Sequence, residues 1–203
     1  VNTLTIGLGN SQIATNTALG NVALNANTTG ASNTAVGYFA MNNNRAGTNN
    51  TAVGLQSLLD NQNGNANTSI GRNALLNTTA SNNTAIGFQA GSVGVPNTTG
   101  ENNIFLGYQS TGVSASQSNR TWIGNSSTTT SWLGGSLLIG TTTDVTSSIC
   151  TLESTTKGFL PPRMTTTQKN AIASPATGLV VYDTTLNKLC VRTASAWETI
   201  TSL

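Results

Sequence analysis

A short phrase, Asn-Thr-Ala/Ser-aliphatic-Gly, returns at a nearly constant interval along the first two thirds of the chain, and it limits the possible folds more sharply than any other feature. It reads NTALG at 16–20, NTAVG at 33–37 and 50–54, NTSIG at 67–71 and NTAIG at 83–87. Looser copies are TLTIG at 3–7, NIFLG at 103–107, TWIG at 121–124 and LLIG at 137–140. The closing glycines are Gly7, Gly20, Gly37, Gly54, Gly71, Gly87, Gly107, Gly124 and Gly140, at steps of 13, 17, 17, 17, 16, 20, 17 and 16 residues. A fixed period signals one structural unit stacked on copies of itself. A 17-residue step is too short for helix-pair repeats but suits one coil of a β-solenoid. Eight steps at a strand spacing of roughly 4.8 Å make a shaft of roughly 38 Å.

Each unit carries one aliphatic residue immediately before its glycine: Leu19, Val36, Val53, Ile70, Ile86, Leu106, Ile123 and Ile139. We expect this side chain to point inward. A smaller apolar contribution follows the glycine in Ala23-Leu24, Ala40-Met41, Ser57-Leu58, Ala74-Leu75 and Ala90. The polar stretches between, such as Asn42–Asn44 and 61–67, read as turns. The glycine permits a positive φ or a close backbone approach where the chain bends. Asn and Thr can bond neighbouring backbone or stack as ladders along the axis. By composition alone the same stretches would read as flexible linker, but a buried-type residue in constant register favours order. Asn27, Asn49, Asn77 and Asn97 fit the glycosylation acceptor pattern, which chance supplies in a chain so rich in Asn and Thr.

Charged residues make up only 7% of the chain and hydrophobic residues 36%. Both are below ordinary globular values, so a single-chain core is thin and burial between chains is the natural supplement. We therefore expect a homotrimer, three chains sharing one axis. The net charge of +2 is scattered singly, which argues against nucleic-acid binding. No apolar run reaches the length of a membrane-spanning helix, so membrane insertion is not expected, and Val1 opens the chain without a signal-like segment. The missing initiator Met reads as a fragment or a processed chain. Histidine is absent, which removes Ser-His and Cys-His catalysis and the commonest metal ligand. Cys150 and Cys190 have no metal-ligand spacing; they read as small buried residues, with a disulfide left open. The six carboxylates, Asp60, Glu101, Asp144, Glu153, Asp183 and Glu198, are too scattered to make a glycan-hydrolysing pair the leading reading. No phosphate loop accompanies the glycines. The chain reads as non-enzymatic, with no cofactor and no metal.

After about Asp144 the composition changes, and eight of the fourteen charged residues lie between Glu153 and Glu198. Pro161-Pro162 gives a stiff extended entry. Thr165-Thr166-Thr167-Gln168 forms a capping box for a short helix that Pro175 must end soon after Ala173. Strands are expected at Leu179 to Asp183, Lys188 to Thr193 and Trp197 to Thr199, with a turn at Thr184 to Asn187. Trp122 and Trp132 fall where the shaft ends and are expected to seal its last coils.

Over residues 1–140 the repeats resemble the heads of trimeric autotransporter adhesins, where coils ending in a hydrophobic-Gly step build a parallel β-roll from three chains, and also repeats of phage and other viral fibres. The segment GFLPPRMTTTQKNAIASPATGLVVYDTTLNKLCVRTASAW is similar to one common near the C-termini of phage tail fibres, often just upstream of a self-cleaving chaperone. The resemblances imply a mainly β chain: a trimeric parallel β-solenoid shaft at 1–144 and a small α+β tip domain at 145–203. They imply a virion fibre, of phage tail or capsid, that mediates host-cell attachment and whose partners are its own copies, other virion components and a host surface glycan or protein receptor. A bacterial surface adhesin is the alternative, and a fibre-borne polysaccharide depolymerase is a third reading. For receptor contact the candidates are Tyr182, Arg192 and Trp197, because specific recognition usually rests on aromatic and Arg anchors. Packing in the core or a subunit interface is the competing role for these residues.

Overall fold

The computed structural model describes residues 6–92, 98–112, 114–128, 137–139 and 150–200. The chain divides into two compact units, Val1–Trp132 and Leu133–Leu203.

In the first unit, β1 (Ile6–Gly7), β2 (Thr17–Leu19), β3 (Thr34–Val36), β4 (Thr51–Val53), β5 (Thr68–Ile70), β6 (Thr84–Ile86), β7 (Ile104–Leu106) and β8 (Thr121–Ile123) form one sheet in chain order. From β2 to β8 every neighbouring pair is parallel, and each residue lies over its counterpart one coil on. Thr34 pairs with Thr51, Ala35 with Ala52 and Val36 with Val53. The expected parallel β-solenoid is therefore present, with about eight turns. Only β1 runs antiparallel, against β2.

The expectation that the pre-glycine residue points inward is overturned. A strand sends successive side chains to opposite sides, so in a three-residue strand an inward middle residue forces both neighbours outward. Ala18, Ala35, Ala52, Ser69, Ala85 and Phe105 hold that middle position and are buried. The larger core side chains, Leu24, Met41, Leu58 and Leu75, come from the turn after each glycine. One coil thus encloses a narrow core in which Ala faces Leu or Met. Where the turn offers Gly91 instead, the strand supplies Phe105, whose ring atoms would lie 3.2 and 3.4 Å from a Cβ on Gly91. Ser69 is tolerated because Ser57 Oγ donates to its carbonyl and hydroxyl at 2.9 and 2.7 Å, while Ser69 Oγ donates to the Ala74 carbonyl at 2.9 Å.

Two buried asparagine ladders line the coils beside this core. In the first, Asn33 N donates to Asn16 Oδ1, Asn50 N to Asn33 Oδ1, Asn67 N to Asn50 Oδ1, Asn83 N to Asn67 Oδ1 and Asn103 N to Asn83 Oδ1, at 2.8–3.0 Å. The amide groups also donate across the coil, Asn50 Nδ2 to the Gly64 carbonyl at 2.8 Å for example. In the second, Asn44 Nδ2 donates to Asn27 Oδ1 and Asn61 Nδ2 to Asn44 Oδ1, both at 2.8 Å. That ladder stops at Asn61, whose Oδ1 is buried without a partner because Thr78 takes the next place. Burial of Asn27 also excludes it as a glycan acceptor.

Gly37 shows why the phrase ends in glycine. Its φ is +134°, and a Cβ there would lie 2.5 Å from the carbonyl oxygen of Gly54 in the next coil. Trp122 is half-buried and stacks on Phe105 at 4.8 Å with ring planes 3° apart, covering the end of the core. Trp132 and Gly140 lie outside the described residues.

In the second unit, β9 (Leu137–Ile139) pairs in parallel with β10 (Cys150–Leu152) as a separate two-stranded sheet. The LLIG copy is therefore not a further coil of the eight-stranded sheet, contrary to the sequence expectation. β11 (Arg163–Met164), β12 (Val180–Asp183), β13 (Lys188–Arg192) and β14 (Trp197–Thr199) form a four-stranded sheet in that order. β11 is parallel to β12, and the other pairs are antiparallel. The expected capping box is present: Thr165 Oγ1 accepts from Gln168 N, and Gln168 Oε1 accepts from Thr165 N at 2.9 Å. It starts α1 (Thr166–Asn170), which ends before the expected Ala173.

Candidate functional site

The first unit carries its distinctive surface on the outside of the sheet. Leu19, Val36, Val53, Ile70, Ile86, Leu106 and Ile123 stack in register as one outward column. Ile70, Ile86 and Ile123 are exposed, the last to 59%, while Leu19, Val36, Val53 and Leu106 are half-buried. Beside it runs a column of Thr17, Thr34, Thr51, Thr68, Thr84, Ile104 and Thr121. Six strand steps make the apolar column about 29 Å long. Large exposed apolar patches are the kind of surface through which proteins meet partners.

A second column escaped the sequence reading. The residues after Gly37, Gly54, Gly71, Gly87 and Gly107 are Tyr38, Leu55, Arg72, Phe88 and Tyr108. The Arg72 guanidinium lies 5.6 Å from the Phe88 ring centroid, and Phe88 stacks on Tyr108 at 5.4 Å. Glycine spacing already gave the register, so reading one position further would have found this column.

In the second unit α1 covers one face of the four-stranded sheet. Lys169 Nζ meets Asp183 Oδ2 at 2.8 Å, both side chains being buried. Burial alone would raise the Asp183 pKa, but hydrogen bonds from Lys169, Thr166 and the Leu186 and Thr185 amides outweigh it and hold the carboxyl well below its ordinary range. The bond to Asp183 raises the Lys169 pKa against the opposing effect of desolvation. Lys169 Nζ also lies 3.6 Å from Cys190 Sγ and 5.7 Å from the Trp197 ring centroid.

The three receptor candidates do not form one cluster. Arg192 pairs with Trp197 and Tyr182 with Leu189, three positions from Arg192, so Tyr182 projects from the opposite face. Trp197 is half-buried on the α1 side under Lys169, and Arg192 Nε is buried without a hydrogen-bond partner. Tyr182 lies under the Arg163 guanidinium, 5.7 Å from its ring centroid, and its hydroxyl donates to Asn187 Oδ1 at 3.2 Å. Cys190 is buried and Cys150 exposed, so the latter is not the small core residue expected. A surface groove of about 680 Å³ runs between Ile139, Leu152, Lys157, Phe159 and Leu160. Among the described residues no three His, Cys, Asp or Glu side chains cluster as metal ligands, and no helix is long and apolar enough to cross a membrane.

The geometry defines a stacked β-solenoid with an outward apolar column, joined in sequence to a small sheet unit. Residues 138–202 match the model of the family described as phage tail like trimerisation region. No curated protein and no solved structure gives a significant match. This segment is thus similar to a phage tail like trimerisation region, and the match points to a structural role in a tail fibre, to assembly with further copies and to a place in the virion.

Proposed function

We propose that this chain is a structural, non-catalytic segment of a phage tail fibre, assembled as a homotrimer, that takes part in attachment to the host cell. The match of residues 138–202 to a phage tail like trimerisation region carries the reading. The outward apolar column supports it independently, because three copies around one axis would cover those side chains with one another. Cyclic assembly needs only one such surface per chain. Nine of the fourteen charged residues lie in the second unit, Arg163 and Arg192 among them, so contact with a host glycan or protein receptor is assigned to that unit in this reading, although the shaft also presents the Tyr38–Tyr108 column.

Mass photometry of the intact protein should give three times 20.8 kDa. Antibodies against it should label the tails of phage particles in electron micrographs, and the purified protein should slow adsorption of those particles to their host. A monomer at micromolar concentration contradicts the assembly. Unlabelled particles contradict the virion role.

A further inference from the structure

The two faces of the four-stranded sheet differ in a way that bears on how copies meet. α1 closes one face over Val181, Asp183 and Cys190, which are buried. On the other face Val180, Tyr182, Leu189 and Val191 remain partly exposed. Strand register places two charges on that same open face, at opposite edges. Arg163 on β11 pairs with Tyr182, which pairs with Leu189; Glu198 on β14 pairs with Val191, which pairs with Val180. Both charged residues are exposed, and neither forms an ion pair among the described residues. Three strand spacings, about 14 Å, separate β11 from β14, too far for the two to meet within one chain.

We infer that this open face turns toward two further copies of the chain around a threefold axis, with Arg163 of one copy paired to Glu198 of the next. The inference rests on the trimer reading above and names the surface and contact behind it. A closed ring of identical subunits is heterologous: rotation sets one edge of each sheet beside the opposite edge of its neighbour. Unlike charges at those two edges, flanking an apolar centre, suit that arrangement and no pairing of like edges. The Arg163 side chain is held on this face by its position over the Tyr182 ring.

Proximity is tested in the full chain, with the exposed native thiol removed by Cys150→Ser. In that background R163C and E198C are introduced together and singly, and a short bismaleimide is added to the assembled protein. The double variant should give a covalent trimer on a denaturing gel. Each single variant, with one reactive thiol per chain, should not go beyond a dimer. In parallel, R163E alone should lower the temperature at which the trimer dissociates, and R163E with E198R should recover it. A protein that is trimeric by native mass yet yields no covalent trimer from the double variant overturns the assigned face while leaving the trimer intact. Failure of the double charge reversal to improve on R163E overturns the pairing. A monomeric parent overturns the trimer reading, and this inference with it.

Discussion

Replacing Gly37 by Ala should be far more damaging than its single methyl group implies. At φ +134° an L side chain is strained, at a cost of about 1–3 kcal/mol. The new Cβ would also stand 2.5 and 2.7 Å from the carbonyl oxygen and carbon of Gly54, and 3.3 Å from its Cα. These are backbone atoms in the adjacent parallel coil, so relief requires a shift of the ladder itself, at a further cost of about 1–3 kcal/mol. A loss near 3 kcal/mol corresponds to roughly 6–12 °C in Tm for a chain of this size. Gly158→Ala is the matched control: its Cβ meets nothing within 4 Å and its φ is not left-handed. That variant should stay within about 0.5 kcal/mol of the parent. Far-UV circular dichroism melts of the three proteins at equal concentration decide the matter. If Gly37→Ala melts with Gly158→Ala, the close-packed glycine column is not what sets coil spacing.

Asn50→Ala leaves the Gly64 carbonyl and the Asn67 amide without their side-chain partners, so urea unfolding should show a loss of about 2–4 kcal/mol. V53K combined with I70K puts two charges into the outward column; native mass should shift from trimer toward monomer with the circular dichroism spectrum unchanged, and an unaltered trimer would remove that column from the interface. The Lys169–Asp183 pair sets a pH window with two edges. Asp183 is held below its ordinary 3.8, so its contribution is fully present above that value and is lost as the pH falls through the depressed folded value. Lys169 is raised above 10.5, so its contribution is present below that value and lost as the pH rises through the raised one. Urea midpoints should therefore be flat between these limits, and acid loss should be smaller in Asp183→Asn.

Periodicity made the solenoid legible because a constant step fixes the strand register before any side-chain direction is known. Local chemistry was equally direct in the second unit, where Thr165 and Gln168 started α1 as a capping box and Trp197–Thr199 formed β14 as expected. Direction was the part that failed. Size and hydrophobicity favoured Val36 over Ala35 as the core residue, but the width of one coil decided for Ala35, and that width is a property of the closed coil rather than of the phrase. LLIG at 137–140 was misplaced for a related reason: it has the phrase, but Leu137–Ile139 has its in-register partner at Cys150–Leu152 rather than at β8. The candidate receptor residues were separated by strand parity. Which face Tyr182 takes depends on the register against Leu189, and no local pattern announces that register.

The inversion of Ala and the aliphatic residue has an energetic consequence for the whole chain. Full burial of a Val, Leu or Ile side chain is worth about 1.5–3 kcal/mol. Seven of them stand outward in one column, and because the isolated chain already covers part of each, closing the column would add on the order of 5–10 kcal/mol per chain before association costs. That is comparable with the entire net stability of an ordinary domain, roughly 5–15 kcal/mol. Inside the coil the opposing choice was made: Ala and hydrogen-bonded Asn fill the strand wall, so each coil is narrow and its interior contributes little beyond the Leu and Met column. The larger aliphatic side chains thus face outward, where the proposed trimer would enclose them. In the proposed trimer such a chain would gain much of its stability only when copies meet, which fits the match of residues 138–202 to a trimerisation region. A segment that holds three chains together would raise their effective concentration and thereby favour register-matched burial along the repeats.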